Sequence, residues 1–175
     1  MSIVKVLALV NNFIIFMIIS LINTIISIKL PITIFQLDSW LFRERRWEKG
    51  GHFYQDWFNV KRWKSLLPEL SDFLSFLFSK KQMKRSSPDY LYRFALETCR
   101  AELVHWCIMI SSLLFTQWNH TGVSMLMIFI AVVCNLPYIM IQRYNRPRIL
   151  SILANKKTNL NGNRINDLEV LHKDI

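Results

Sequence analysis

The chain contains 175 residues, of which 52% are apolar and 13% aromatic, and its 22 Lys and Arg residues outnumber its 12 Asp and Glu residues. This aromatic and apolar content excludes intrinsic disorder, because disordered chains lack the side chains that burial requires. The three cysteines are odd in number, which excludes a scaffold held together by paired disulfides.

The apolar residues are concentrated in two uncharged runs. Residues 6–28 contain no charged side chain, and residues 103–142 contain none when histidine is neutral. About 20 helical residues cross a hydrocarbon core of roughly 30 Å, so the first run can cross once and the second twice. The alternative, a buried helix of a soluble protein, rarely stays uncharged for more than about 14 residues. We therefore predict an all-α integral membrane protein with about three transmembrane helices.

The predicted spans cover residues 6–28, 102–118 and 122–143, with the polar sequence 117–122 as a tight turn between the last two. The first run resembles a secretory signal, but its apolar part is too long and no small-residue cleavage site follows it, so a retained anchor is favoured. Four of its polar side chains are predicted to bind neighbouring helices: Asn12, Ser20, Asn23 and Ser27.

The basic residues predict the orientation of these spans. One precedes the first span, 14 lie between Lys29 and Arg100, none lies in the 117–122 turn, and seven lie from Arg143 onward. Under the positive-inside rule, the insert over residues 29–101 and the tail over residues 150–175 face the cytoplasm. The N-terminus and the short turn then lie outside.

The insert has the composition of a membrane surface segment. Tryptophan is typical of headgroup depth, and the insert contains four: Trp40, Trp47, Trp57 and Trp63. Residues 66–78 place apolar side chains at helical spacing, and a basic cluster follows, consisting of Lys80, Lys81, Lys84 and Arg85. We expect interfacial helices in this basic cytoplasmic insert.

Local signals set the ends of the second and third spans. Ser87, Pro88 and Asp89 predict a helix start, and no helix breaker follows before the turn. Pro147 disfavours helical geometry at Arg146, so the last helix is predicted to stop there and to give way to a mobile tail.

Polar residues of the second and third spans fall at matching depths. If the two helices are antiparallel about a turn near His120, His105 lies level with Asn135 and Glu102 lies level with Tyr138. An ionisable group within a span costs about 2.5 to 3.5 kcal/mol and marks a functional site by default. The alternative is structural: His105 binds Asn135 to hold the hairpin, while Glu102 and Arg100 snorkel towards water.

Two basic segments are further candidates. The sequence from Trp57 to Lys64 suits either an interfacial anchor or a phosphate-binding surface. Arg143, Arg146 and Arg148 follow the last span, where charge is usually topogenic but also suits bidentate phosphate recognition. The sequence contains no phosphate loop, dinucleotide motif or metal-type grouping of Cys and His. His52 and Asp56 are one residue short of the His-x4-Asp spacing of glycerolipid acyltransferases and are interpreted as surface residues.

Three blocks of the chain resemble a known family. They are Trp47–Lys64 (WEKGGHFYQDWFNVKRWK), Arg100–Trp106 (RAELVHW), and Asn135–Pro137 with Ile141–Arg148 (NLP and IQRYNRPR). In this order they resemble the glycosyl-4,4'-diaponeurosporenoate acyltransferases, small bacterial membrane proteins that complete staphyloxanthin-type carotenoids. The resemblance implies esterification of the glucose 6-hydroxyl of a carotenoid glucosyl ester with a long-chain acyl group.

The resemblance also implies the partners: the bilayer of a bacterial cell membrane, the carotenoid glucosyl ester and an acyl donor. We expect no bound cofactor, metal or nucleic acid, and acyl-CoA or an acyl-carrier protein as co-substrate. Other pigment-synthesis enzymes are candidate neighbours. The alternatives are a non-catalytic membrane scaffold for pigment or lipid synthesis and a small membrane methyltransferase or isomerase.

The roles of individual residues are our own assignments. His105 is the expected general base, and Glu102, one turn earlier, is expected to orient it or stabilise its charge. The remaining candidates are expected to bind the sugar, the developing oxyanion or the donor phosphates: Asn135, Tyr138, Gln142, Asn145, Trp63, Lys64, Arg100, Arg143, Arg146 and Arg148.

Overall fold

The uncharged runs form long helices in the computed structural model, which describes the backbone of residues 3–67 and 87–173. Side chains are described for residues 6–67, 87–156 and 158. The helices are α1 (Ile3–Lys29), α2 (His52–Phe58), α3 (Val60–Trp63), α4 (Pro88–Ser111) and α5 (Thr121–Lys173). Across these described ranges all regular structure is helical, which confirms the predicted all-α class.

Three helical segments are long and apolar enough to cross a membrane: Val6–Lys29, Pro88–Gln117 and Thr121–Lys156. This confirms the predicted number of helices that are long and apolar enough to span a membrane. α4 begins where the sequence indicated, because the Ser87 hydroxyl accepts a hydrogen bond from the backbone N–H of Tyr90 at 3.2 Å. It continues as a 3₁₀ helix from Ser112 to Gln117, and α5 starts four residues later.

The predicted end of the last helix at Arg146 is wrong, because α5 continues through Pro147 to Lys173. A proline removes one backbone hydrogen bond from a helix interior and costs about 3 kcal/mol. Beyond it, Ile149 and Leu153 are buried one turn apart. Burial of this apolar face offsets the cost, so helix replaces the irregular tail expected after residue 150.

The chain divides into two compact units, Met1–Arg43 with Glu97–Gln142, and Glu44–Leu96 with Arg143–Ile175. The amphipathic segment and basic cluster predicted over residues 66–85 fall almost entirely at residues 68–86, outside the described residues. We call the two units the hairpin unit and the clip unit.

The hairpin unit packs α1 against the antiparallel pair formed by α4 and α5. Its buried core contains Phe16, Ile108, Phe115, Met127 and Ala131. Polar contacts between segments accompany this core, as predicted for Asn12 and Asn23, whereas the Ser20 hydroxyl donates to the Phe16 backbone oxygen of its own helix. Asn12 exchanges hydrogen bonds with Asn119 in the turn at 2.8 and 2.9 Å, and Asn23 lies 3.4 Å from the Ser111 hydroxyl.

The clip unit contains a tight turn ahead of α2. Lys49, Gly50 and Gly51 all have positive φ, of 48°, 67° and 82°. A Cβ atom at Gly51 would lie 2.9 Å from the backbone oxygen of Tyr144 on α5, so only glycine allows the turn to approach this closely. α2 and α3 follow, joined at Asn59, which also has positive φ.

Candidate active site

The hairpin unit brings His105 of α4 and Asn135 of α5 together. The His105 Nδ1 atom lies 2.8 Å from Asn135 Oδ1, as expected from their equal distance from the turn. The amide nitrogen Nδ2 of Asn135 donates to the backbone oxygen of Ala131 at 2.8 Å. Asn135 is 5% exposed and the imidazole is half-buried, so both groups lie within the packed helices.

Tyr138 covers one face of the same imidazole. The two ring centroids lie 4.6 Å apart and the ring planes differ by 10°. The sequence placed Tyr138 level with Glu102, one helical turn from His105. Side chains on a helix point back towards its N-terminus, which carries the Tyr138 ring towards His105.

Glu102 is completely buried, and its Oε1 atom accepts a hydrogen bond from the indole N–H of Trp106 at 3.4 Å. The His105 Nδ1 atom is hydrogen-bonded to Asn135. Arg100, on the preceding turn, donates to the backbone oxygen of Leu30 at 3.0 Å and pairs with Glu97 at 3.5 Å. Its guanidinium therefore ties α4 to the end of α1.

The clip unit contains a buried carboxylate that sequence analysis did not single out. Glu48 is 2% exposed and pairs with Arg143, whose Nη1 atom lies 2.9 Å from Glu48 Oε1. The Tyr54 hydroxyl and the backbone N–H of Arg45 each donate to the same carboxylate at 2.5 Å. Arg143 thus has a neutralising partner inside the protein.

Lys64 and Arg148, two of the predicted donor-binding residues, meet at the ring of Tyr144. Lys64 Nζ lies 4.9 Å from the ring centroid and 2.9 Å from Asn145 Oδ1. The Arg148 guanidinium carbon lies 3.6 Å from the same centroid, and its Nη1 atom donates to the Tyr144 backbone oxygen at 2.6 Å. Two cations are thereby held at one aromatic ring, a contact worth about 0.5–2 kcal/mol each.

The remaining predicted residues have other surroundings. Trp63 donates its indole N–H to the backbone oxygen of Phe58 at 2.8 Å. Arg146 is buried and Gln142 is half-buried. His52 and Asp56 are exposed, which agrees with their interpretation as surface residues.

The structural roles of four residues were not evident from the sequence: Glu48, Gly51, Tyr54 and Tyr144. Two signals were available within the first of the resembling blocks. Glu48 is an acid in a strongly basic insert, where it is a natural partner for an arginine, and Gly50 and Gly51 make up half of the four glycines in the chain. Neither feature indicates which residue of α5 it contacts, Arg143 in the case of Glu48 and Tyr144 in the case of Gly51.

Comparison with known proteins identifies the family. A family model described as CrtO, glycosyl-4,4'-diaponeurosporenoate acyltransferase, matches residues 38–155. The chain belongs to this family. The matched range contains the His105–Asn135 pair, the Glu48–Arg143 ion pair and the cations at the Tyr144 ring.

Individual relatives agree with the family match. The glycosyl-4,4'-diaponeurosporenoate acyltransferase of Staphylococcus aureus strain N315 is 30% identical over 125 residues, which cover 71% of this chain and 75% of the relative. Proteins of the same name from strains USA300 and NCTC 8325 / PS 47 match to the same extent. No solved structure matches the chain. The protein is therefore an acyltransferase with three helices suited to a membrane.

Proposed function

We propose that this acyltransferase esterifies the glucose 6-hydroxyl of a glycosylated carotenoid acid, glycosyl-4,4'-diaponeurosporenoate, with a long-chain acyl group. This reaction is the last step of staphyloxanthin-type pigment synthesis. The observation that carries the proposal is the 30% identity to proteins of that name across three quarters of their length. Both a carotenoid and an acyl chain dissolve in a bilayer, which suits a protein with three apolar helices.

The His105 imidazole is the general base of the proposed reaction. Its Nδ1 edge is bound to Asn135, which leaves Nε2 as the atom that takes the proton of the sugar hydroxyl. The hydroxyl oxygen forms a bond to the thioester carbonyl carbon, and the carbon–sulfur bond breaks. The leaving thiolate then takes the proton back from Nε2. A general base contributes about 10²–10⁴-fold to rate.

Other residues of the hairpin unit are proposed to stabilise the charges that develop in this step. The buried Glu102 carboxylate stabilises the imidazolium formed after proton transfer. The Tyr138 hydroxyl and the Gln142 amide are candidate donors to sugar oxygens or to the oxyanion, where one donor contributes about 3–4 kcal/mol.

The clip unit supplies the proposed binding of the acyl donor. Lys64 and Arg148 at the Tyr144 ring, with Asn145 beside them, suit the phosphates of coenzyme A or the phosphopantetheine of an acyl-carrier protein. Arg146 and Trp63 are further candidates. Arg143 is assigned a supporting role, because Glu48 neutralises its charge.

The proposed location is the cell membrane of a bacterium, with the N-terminus outside and the basic segments facing the cytoplasm, where activated acyl donors are found. The distribution of Lys and Arg along the chain supports this orientation.

The experiment that tests the function is expression of the full chain in a cell that makes the glucosylated carotenoid acid, followed by mass spectrometry of the extracted pigment. We expect a mass increase equal to one fatty acid minus water. Protein present in the membrane with no such product would contradict the proposed reaction.

The matched variants are His105→Ala and His120→Ala. His105→Ala removes the base, so the acylated pigment should fall at least ~100-fold. His120→Ala makes the same side-chain change in the exposed turn and should leave the pigment unchanged. Full activity of His105→Ala would rule out the proposed base while leaving the reaction itself intact.

A further inference from the structure

We infer that Asn135 is a positioning residue that holds the His105 proton on Nδ1 and so makes Nε2 the basic nitrogen. The inference rests on the proposed function, because it takes His105 as the general base. It differs from the sequence-based expectation that Asn135 binds substrate.

The first step concerns the orientation of the Asn135 amide. Its nitrogen Nδ2 lies 2.8 Å from the backbone oxygen of Ala131, and its oxygen Oδ1 lies 2.8 Å from His105 Nδ1. A carbonyl oxygen only accepts hydrogen bonds. Exchanging the amide oxygen and nitrogen would therefore set two acceptor oxygens against each other, so the Ala131 carbonyl fixes which end of Asn135 faces the histidine.

The second step concerns the imidazole. Because Asn135 Oδ1 is an acceptor, the hydrogen bond at 2.8 Å requires a proton on His105 Nδ1. A neutral imidazole carries one N–H, and the bond made by one ring nitrogen decides the state of the other. The Nε2 atom then carries the lone pair, which is the arrangement a general base needs.

The third step concerns the direction of that lone pair. The hydrogen bond to Asn135 restricts rotation of the imidazole within its own plane. The Tyr138 ring, stacked with its centroid 4.6 Å away, restricts the tilt of that plane. Asn135 is itself buried, so its side chain has little freedom to reorient. The base is thus held before substrate binds, which lowers the entropy cost of reaching the reactive geometry.

The first experiment determines the protonation of His105 in the unsubstituted protein. The full chain, labelled with ¹⁵N-histidine and reconstituted in lipid nanodiscs, is examined by ¹⁵N NMR at a pH where the ring is neutral. Comparison with His105→Gln assigns the His105 signals among the four histidines. We expect the proton on Nδ1 and an unprotonated Nε2. A proton on Nε2 in the unsubstituted protein would overturn the inference.

The second experiment compares Asn135→Leu with Asn23→Leu. Asn23 is an interhelical asparagine that also donates to the carbonyl four residues earlier, at 2.9 Å, but it does not contact His105. With glucosylated carotenoid acid and palmitoyl-CoA as substrates, Asn135→Leu should lower kcat at least ~10-fold with little change in KM. It should also shift the His105 proton towards Nε2, whereas Asn23→Leu should alter neither quantity.

The alternatives give different results. A raised KM with unchanged kcat in Asn135→Leu would make Asn135 a substrate contact and overturn the inference. If His105→Ala remains active, the proposed base fails, whereas the NMR result for the unsubstituted protein still decides the protonation of His105.

Discussion

Arg143 and Glu48 form an ion pair of 2.9 Å between residues 95 positions apart in the sequence. The carboxylate is 2% exposed and also receives the hydroxyl of Tyr54 and the backbone N–H of Arg45. Taking a charge out of water is costly unless it is paired and hydrogen-bonded. The pair therefore fixes the turn ahead of α2 to α5 within the clip unit.

We predict that Glu48→Gln lowers the free energy of unfolding by about 3–5 kcal/mol, because it removes the negative charge that pairs with the buried guanidinium of Arg143. The change preserves side-chain shape, so it reports the charge and not a cavity. Thermal unfolding of the purified protein in detergent provides the measurement.

Glu97→Gln is the matched control for this prediction. Glu97 pairs with Arg100 at 3.5 Å in a partly exposed contact three residues apart, where a lost ion pair costs about 1 kcal/mol or less. An equal loss of stability for both substitutions would contradict the prediction that the buried pair contributes more than the exposed one.

A second prediction concerns Gly51. Gly51→Ala places a Cβ atom 2.9 Å from both the Tyr144 backbone oxygen and Arg148 Nη1, and it imposes a side chain on a backbone with φ of 82°. The strained backbone alone costs about 1–2 kcal/mol, and the contact with a backbone oxygen adds to it. Thermal unfolding should show a loss of about 2 kcal/mol or more.

Gly122→Ala tests the same substitution where the structure leaves room. No described heavy atom lies within 4 Å of a Cβ at Gly122, which lies in the first turn of α5. Alanine is the better helix former by up to about 1 kcal/mol, so stability should stay the same or rise. A larger loss at position 122 than at 51 would contradict the close approach of Gly51 to α5.

The sequence was sufficient to predict the contact between His105 and Asn135. The two helices are antiparallel about a turn near His120, and the rise per residue is the same in both. Asn135 is therefore the residue of the third span that lies level with His105. The start of α4 was equally predictable, because Ser87 and Pro88 act locally.

The contacts of Glu48 and the path of α5 past Pro147 were not predictable in this way. Pro147 locally favours the end of a helix, but the burial of Ile149 and Leu153 outweighs that preference. Burial depends on what packs against the helix, which the local sequence does not show. Likewise, the pairing of Glu48 with Arg143 joins distant segments, and no periodicity connects an irregular turn with a helix.

The third prediction concerns the acyl donor. Lys64→Gln removes one of the two cations at the Tyr144 ring, so the KM for palmitoyl-CoA should rise about 10-fold, as expected for loss of a charge-assisted hydrogen bond to phosphate. Release of free coenzyme A from membranes that contain the acceptor measures the reaction. Lys61→Gln makes the same charge change at an exposed position of α3 and should leave KM unchanged.

A substrate variant separates phosphate binding from other roles of Lys64. S-Palmitoyl pantetheine carries the same thioester without phosphate. The unsubstituted protein and Lys64→Gln should therefore use it equally well. A defect of Lys64→Gln that persists with this donor would show that the lysine acts on something other than phosphate.

A fourth prediction concerns the exposed rings of the clip unit. Trp57 is 77% exposed at the end of α2 and lies beside Phe53, which also contacts Trp47 and Phe58. Aromatic rings flanked by Lys61 and Arg62 suit the headgroup region of an anionic bilayer. In vesicles with brominated anionic lipid, quenching of total tryptophan fluorescence should be weaker for Trp57→Phe. Equal quenching would place Trp57 away from the lipid.

The last prediction concerns orientation, and it follows from where the cations lie. Fourteen basic residues lie between Lys29 and Arg100 and seven from Arg143 onward, whereas the 117–122 turn has none. Translocating that turn costs least, so it should face outside. In a chain whose three cysteines are replaced by alanine, His120→Cys should react with a membrane-impermeant maleimide on intact cells, whereas Asp56→Cys should react only after lysis. Reversed labelling would place the basic segments outside and separate them from cytoplasmic acyl donors.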